Sequence, residues 1–252
     1  MFRVYLILLL LAHILADFYI QTEKMTQRKE KSLKWVLIHC MYYLGIMLLV
    51  GLPIISGKII MAAIVAAALH LLIDVLKFMY ISYIKNKNKM TRIIERNTFF
   101  IDQLLHFVCL IKIAYWGVQN NTQINECKAI ADFFSVAGIS EVMFVTWVFV
   151  LLVIHKPTNI AIQKLLIIYK PISSLDYKGN VNNAGRFIGT VERIIMLIFL
   201  SIEQYSAIGL VLTAKSIARY DKISKEKNFA EYYLLGTLIS TVSVIIISFV
   251  LY

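Results

Sequence analysis

Seven side chains able to hold a proton or a metal ion lie inside apolar stretches of this sequence: His13, Asp17, His39, His70, Asp74, Asp102 and His106. An Asp at the centre of a membrane span costs roughly 2.5–3.5 kcal/mol on insertion scales, so such residues imply a use. His13 and Asp17, His70 and Asp74, and Asp102 and His106 are each four residues apart. On a helix that spacing puts both members on one face, about 6 Å apart along the axis. Four imidazoles and three carboxylates meeting in a low-dielectric layer call for a cationic partner. A mixed His/Asp shell suits a divalent metal, zinc or manganese first and iron next. Seven groups exceed the ligands of one tetrahedral zinc. They fit two ions, or one ion with outer partners and a base. His13, Asp17, His70, Asp74, Asp102 and His106 are the expected ligands. His39 is a ligand or base, and Lys77 is either a cation at the reacting group or a lysine reaching for the membrane boundary. The plainer alternative is a set of hydrogen-bonded structural pairs.

These residues need helices to carry them. Of 252 residues, 60% are hydrophobic and 16% charged, and the mean hydropathy is +0.74. A soluble domain of this size has too little interior for that composition. The expectation is an all-α, polytopic membrane protein with about six to eight transmembrane or re-entrant helices. Apolar runs cover 2–20, 35–55, 59–84, 98–117, 141–154, 187–214 and 232–252, without the alternation of a β-barrel. The first run has no small-residue cleavage signature and reads as a retained span. Three segments follow: a four-helix domain over 1–117, a variable part over 118–184, and C-terminal helices over 185–252. The three cysteines, Cys40, Cys109 and Cys127, suggest neither a disulfide framework nor a zinc knuckle.

The net charge of +11 is read as basic loops on the cytoplasmic face, with no nucleic-acid partner. The loops 21–34, 85–96, 155–186 and 215–231 hold five Lys/Arg each. For all four to lie inside, 187–214 must double back near 201–206. The stretch 157–169 reads as an amphipathic helix on the inner surface, and 176–185 as a polar loop. The four N-terminal helices alternate in direction, so all seven groups fall in one layer at the cytoplasmic side. A second polar cluster gathers Arg186, Glu192, Arg193, Lys215, Arg219 and Glu231. The expected pairing is of the arginines with Glu192 or Glu231, with a cationic pocket for lipid headgroups or phosphate as the functional alternative. Gly185 and Gly189 have the spacing for close helix approach.

Leu11-Ala12-His13-Ile14-Leu15-Ala16-Asp17-Phe18 with Gln21, then His39, then His70, Asp74 and Lys77, then Phe99, Asp102, Gln103 and His106 together resemble the bacterial membrane family known as domain of unknown function 3307. The tail, Gly185–Arg193, Ala214–Ile217 and Ala230–Tyr232, is similar to that of its longer members. The resemblance implies a multi-pass protein of the bacterial cytoplasmic membrane and brings no established activity. The residues themselves lead to a metal-dependent hydrolase acting on a lipid, lipid-linked or membrane-peptide substrate at the cytoplasmic leaflet. Two alternatives stay open: a divalent-cation transporter, and a non-catalytic structural or pH-sensing partner subunit.

Overall fold

The computed structural model describes residues 1–54, 56–120, 127–169 and 181–251, with backbone alone at 181–184. Helices form wherever the apolar runs are long, because a chain surrounded by apolar side chains must satisfy its own N–H and C=O groups. No strand occurs among the described residues. The elements are α1 (Phe2–Ile14), a π-helical turn (Leu15–Ile20), α2 (Glu23–Lys29), α3 (Leu33–Gly51), α4 (Gly57–Asn86), α5 (Arg92–Gln119), α6 (Lys128–Ala137), α7 (Glu141–Leu166), α8 (Val181–Ser201), α9 (Tyr205–Ile217), α10 (Tyr220–Lys225) and α11 (Lys227–Ser248). Six helical stretches among the described residues are long and apolar enough to cross a membrane: Phe2–Ile20, Leu33–Ile54, Gly57–Asn86, Arg92–Gln119, Glu141–Leu166 and Lys227–Ser248.

Side-chain caps set several starts. Thr22, Ser56 and Thr91 accept from the backbone N–H of Met25, Ile59 and Ile94, meeting donors that the first turn leaves without partners. The Thr91 cap starts α5 six residues before the apolar run expected from 98.

Contacts divide the chain into two units, Met1–Phe149 and Val150–Tyr252, and the division falls inside α7. In the first unit α1 packs on α3 and α5, α3 on α4, and α4 on α5. Small residues allow the close approach. Ala62, Ala63, Ala66 and Ala67 form a buried stripe on α4, and Cys40 on α3 donates its thiol to the Ala67 carbonyl at 3.2 Å. Gly117 on α5 lies against the ring of buried Tyr5 on α1, with no room for a Cβ. Met41, Leu49, Ile64, Leu72 and Leu104 point outward and are exposed, the pattern of helices that present apolar faces to lipid.

In the second unit α8 packs on α11 and α9. Near Ser201 the chain does break, as expected. Glu203 adopts a left-handed φ of 58°, and the Gln204 N–H bonds back to the Phe199 carbonyl at 2.8 Å, closing α8. Neither α8 nor α9 is among the six candidate spans.

One expectation is corrected. No separate surface helix begins at Pro157; α7 runs through it to Leu166. Proline removes the donor that the Val153 carbonyl needs, and side chains bond to that carbonyl and to the next two. Thr158 donates its hydroxyl to Val153 O at 2.7 Å, Asn159 donates to His155 O at 2.6 Å, and Arg193 donates to Ile154 O at 3.2 Å. The expected polar loop over 176–185 lies outside the described residues up to 180, and from Val181 the backbone is helical.

The α1–α5 contact yields a test. Gly117→Leu should lower unfolding stability in detergent by roughly 1–3 kcal/mol through overpacking against Tyr5. Gly45→Ala, where an added Cβ meets nothing within 4 Å, should leave the melting temperature unchanged or slightly raised. Equal responses would show that Gly117 is not a contact point.

Candidate metal centre

The four N-terminal span helices bring their imidazoles and carboxylates to one place. The π-helical turn after α1 carries Asp17, and its Gln21 N–H reaches back five residues to the Ala16 carbonyl at 3.1 Å. Such widened turns recur where a side chain is re-aimed for function. Asp17 Oδ1 stands 3.2 Å from His39 Nε2 and 3.6 Å from His70 Nε2. The two imidazole nitrogens are 3.1 Å apart. His13 Nε2 lies 3.8 Å from the other Asp17 oxygen, Oδ2. His13, His39, His70, Asp74, Asp102 and His106 are all buried, and the Asp17 side chain is 10% exposed.

The tautomer of His106 follows from a backbone contact. Its Nδ1 lies 2.9 Å from the Asp102 main-chain carbonyl. A carbonyl only accepts, so Nδ1 donates. In the neutral ring Nε2 then keeps its lone pair, and that atom is buried with no hydrogen-bond partner among the described residues. A ring fixed by Nδ1–H···O=C with a bare Nε2 is the usual state of a metal-ligating histidine. The His106 ring centroid is 4.4 Å from that of His70 and 5.2 Å from that of His13.

Three groups of potential ligand atoms lie within 4.8 Å of one another: His13, Asp17 and His106; Asp17, His39 and His70; and His70, Asp74 and His106. Asp17, His70 and His106 each belong to two of them. Asp102 belongs to none. Its carboxylate accepts from Lys77 Nζ at 2.8 Å and from Gln103 Nε2 at 3.2 Å. Lys77 is thus the counter-ion of Asp102, where either a boundary lysine or a cation at the reacting group was expected. Asp74 has its own lysine: Lys29 on α2 donates to Asp74 Oδ2 at 2.6 Å and to Gln21 Oε1 at 3.0 Å. Asp17 has no Lys or Arg nitrogen within 4 Å among the described residues.

Lys29 and Tyr43 were not singled out from the sequence. Lys29 is one of several lysines in a basic loop, and only the turn at α2 selects it. Tyr43 stacks on His70 at 3.8 Å and 13°, with its hydroxyl 3.3 Å from His13 Nδ1. It sits four residues after His39, a helical spacing that could have drawn attention to it.

The second cluster is arranged differently from expectation. Glu192 pairs with Lys215 at 2.7 Å and not with an arginine. Buried Arg193 is held by neutral acceptors: Ile154 O, Ser240 Oγ, Asn159 Oδ1 and Thr190 Oγ1. Arg186, Arg219 and Glu231 are exposed. Gly189 makes room for the Arg193 guanidinium, 3.3 Å from where a Cβ would stand, and Gly185 contacts nothing there. Among the described residues, then, the nearest neighbour of the glycine pair is a side chain of its own helix.

The fold and the site of the first unit define a helical bundle with apolar outer faces and a buried His/Asp centre. The family model described as protein of unknown function (DUF3307) matches residues 5–133, and the chain belongs to this family. All seven centre residues lie inside the matched segment, and the Arg193 cluster lies beyond it. Neither the curated proteins nor the solved structures contain a match.

The lysine pairs can be tested directly. Lys29→Met leaves Asp74 charged and buried, so it should cost ~3–5 kcal/mol. Adding Asp74→Leu should restore most of that loss, because the double change removes both charges. A Lys29→Met melt equal to that of the parent would mean that Asp74 is not ionised in the folded protein.

Proposed function

We propose that this chain is a multi-pass protein of the bacterial cytoplasmic membrane and a metal-dependent hydrolase. Its substrate is a lipid, a lipid-linked molecule or a membrane peptide, met at the cytoplasmic leaflet. Asp17, His39, His70 and His106 hold one divalent ion, zinc or manganese. The observation that carries this reading is His106: a buried ring whose tautomer is set by a backbone carbonyl and whose free lone pair has no protein partner.

Two further features support it. The triangle Asp17 Oδ1, His39 Nε2 and His70 Nε2 has edges of 3.2, 3.1 and 3.6 Å. Ligands ~2.0–2.1 Å from a tetrahedral zinc stand about 3.3–3.4 Å apart. The charges agree as well. Lys29 answers Asp74 and Lys77 answers Asp102, which leaves Asp17 as the one central carboxylate without a lysine or arginine. One divalent ion beside it leaves a net positive charge, suited to an anionic or polarised reacting group. Two ions would leave a large excess of positive charge, so a single ion is the better fit.

A bound divalent ion supplies a lowered pKa for water and a Lewis acid for a carbonyl or phosphoryl oxygen. The protein residues supply the rest. Asp17 and the three imidazoles bind. His13, in contact with Asp17 and the Tyr43 hydroxyl, is the imidazole left over to accept a proton. Tyr43 holds the His70 plane by stacking.

Elemental analysis of detergent-purified protein should give about one zinc or manganese per chain. Asp17→Asn and His106→Ala should each remove most of it, since losing a ligand weakens binding by at least the 10–100-fold typical of losing an outer partner. Protein that carries no metal after growth with zinc and manganese contradicts the reading. In liposomes of bacterial lipid extract, metal-dependent lipid turnover supports the hydrolase, whereas metal flux without turnover supports the transporter.

A further inference from the structure

The second unit contains a cavity of about 540 Å³ lined by five cations: Lys164, Arg186, Arg193, Lys215 and Arg219. Among the described residues no carboxylate lines it. Glu192, on Lys215, offsets one of the positive charges. Arg193 is 2% exposed, and every bond named for it goes to a neutral oxygen. A guanidinium has five N–H donors. Nε and both Nη2 hydrogens have acceptors, while Nη1 has only Ser240 Oγ at 3.3 Å. One donor is left for a ligand. A buried cation with no anionic partner among the described residues is costly, and the fold keeps it at the wall of an open cavity.

A second feature points the same way. The Tyr233 and Thr237 hydroxyls belong to residues lining this cavity, and both oxygens are buried with no hydrogen-bond partner among the described residues. Tyr233 is held in place by stacking on Phe229, at 6.0 Å between centroids, and by the Lys215 and Arg219 cations at its face. Unspent donors beside clustered positive charge recognise a group with several anionic oxygens. Arginine in particular suits phosphate, through its planar fork.

We infer that this cavity binds the phosphate group of an anionic ligand, with Arg193 as the buried anchor and Arg186 and Arg219 as the outer cations. The inference does not depend on a metal at the first unit, because none of these residues belongs to that centre. Apolar Ile162, Ile167 and Ile188 in the same wall would accommodate acyl or isoprenoid carbon next to the phosphate, as in basic lipid-headgroup pockets between helices.

The test uses the full chain in detergent, titrated with inorganic phosphate and, separately, with vesicles of phosphatidylglycerol or of phosphatidylcholine. Binding should be saturable for the anionic probe. The double variant Arg186→Gln/Arg219→Gln, at two exposed positions, should weaken it roughly tenfold or more, and Arg186→Lys/Arg219→Lys should retain most of it. A response to both inorganic phosphate and phosphatidylglycerol assigns a phosphate site open to soluble ligands. A response to phosphatidylglycerol alone assigns a lipid. Three results would each overturn the proposal: no binding of either anionic probe, equal binding of phosphatidylcholine, or a double Gln variant that binds like the parent while its circular dichroism is unchanged.

Discussion

Asp74 and Asp102 are buried and the Asp17 side chain is 10% exposed, and a carboxylate so placed must be matched by a cation or lose its charge. Much of the first unit follows from how each is matched. Asp102 draws Lys77 across from α4, and Asp74 draws Lys29 inward from α2. That second contact ties the segment after the first span onto the third and brings Gln21 with it. Asp17 is left among imidazoles, on a widened turn that places its oxygen between His39 and His70. The alanine stripe on α4 and the Gly117–Tyr5 contact let the helices come close enough for these groups to touch. Packing and polar chemistry are therefore one constraint: if the helices stood further apart, the imidazoles could not share Asp17.

Much of this was legible in the sequence because it rests on spacing. A His and an Asp four residues apart on three apolar helices can hardly avoid sharing a face, and alternating helix directions bring the faces to one level. The first span, Phe2–Ile20, agrees with the hydropathic reading, and the break after Ser201 follows from charge and length alone. Other features depend on neighbours that a linear reading does not contain. Lys29 is indistinguishable in type from Lys24 or Lys31 until the helix capped by Thr22 aims it at Asp74. Likewise Lys77 read as a boundary residue because Asp102 lies on another helix.

Pro157 misled for a similar reason. Proline usually ends a helix because its i−4 carbonyl is left without a donor. Here Thr158, Asn159 and Arg193 supply donors to three successive carbonyls, and the helix continues. Two of those residues are local and one comes from α8, so only the local part could have been read in advance. Arg193 in turn was expected to meet a carboxylate, the common partner of a buried cation. Instead it joins α7, α8 and α11 through neutral oxygens and stands at the wall of a cationic cavity. The glycine at 189, whose spacing from Gly185 suggested helix contact, serves this side chain by leaving it space.

The central claim is that Asp17 and the imidazoles of His39, His70 and His106 surround a single ion. X-ray absorption at the metal edge of zinc-loaded protein reads that arrangement directly. The account predicts a shell of about four nitrogen and oxygen donors near 2.0–2.1 Å, with strong imidazole scattering that falls in His70→Ala protein. A shell containing sulfur, or six oxygens without imidazole, would place the ion elsewhere and contradict the account.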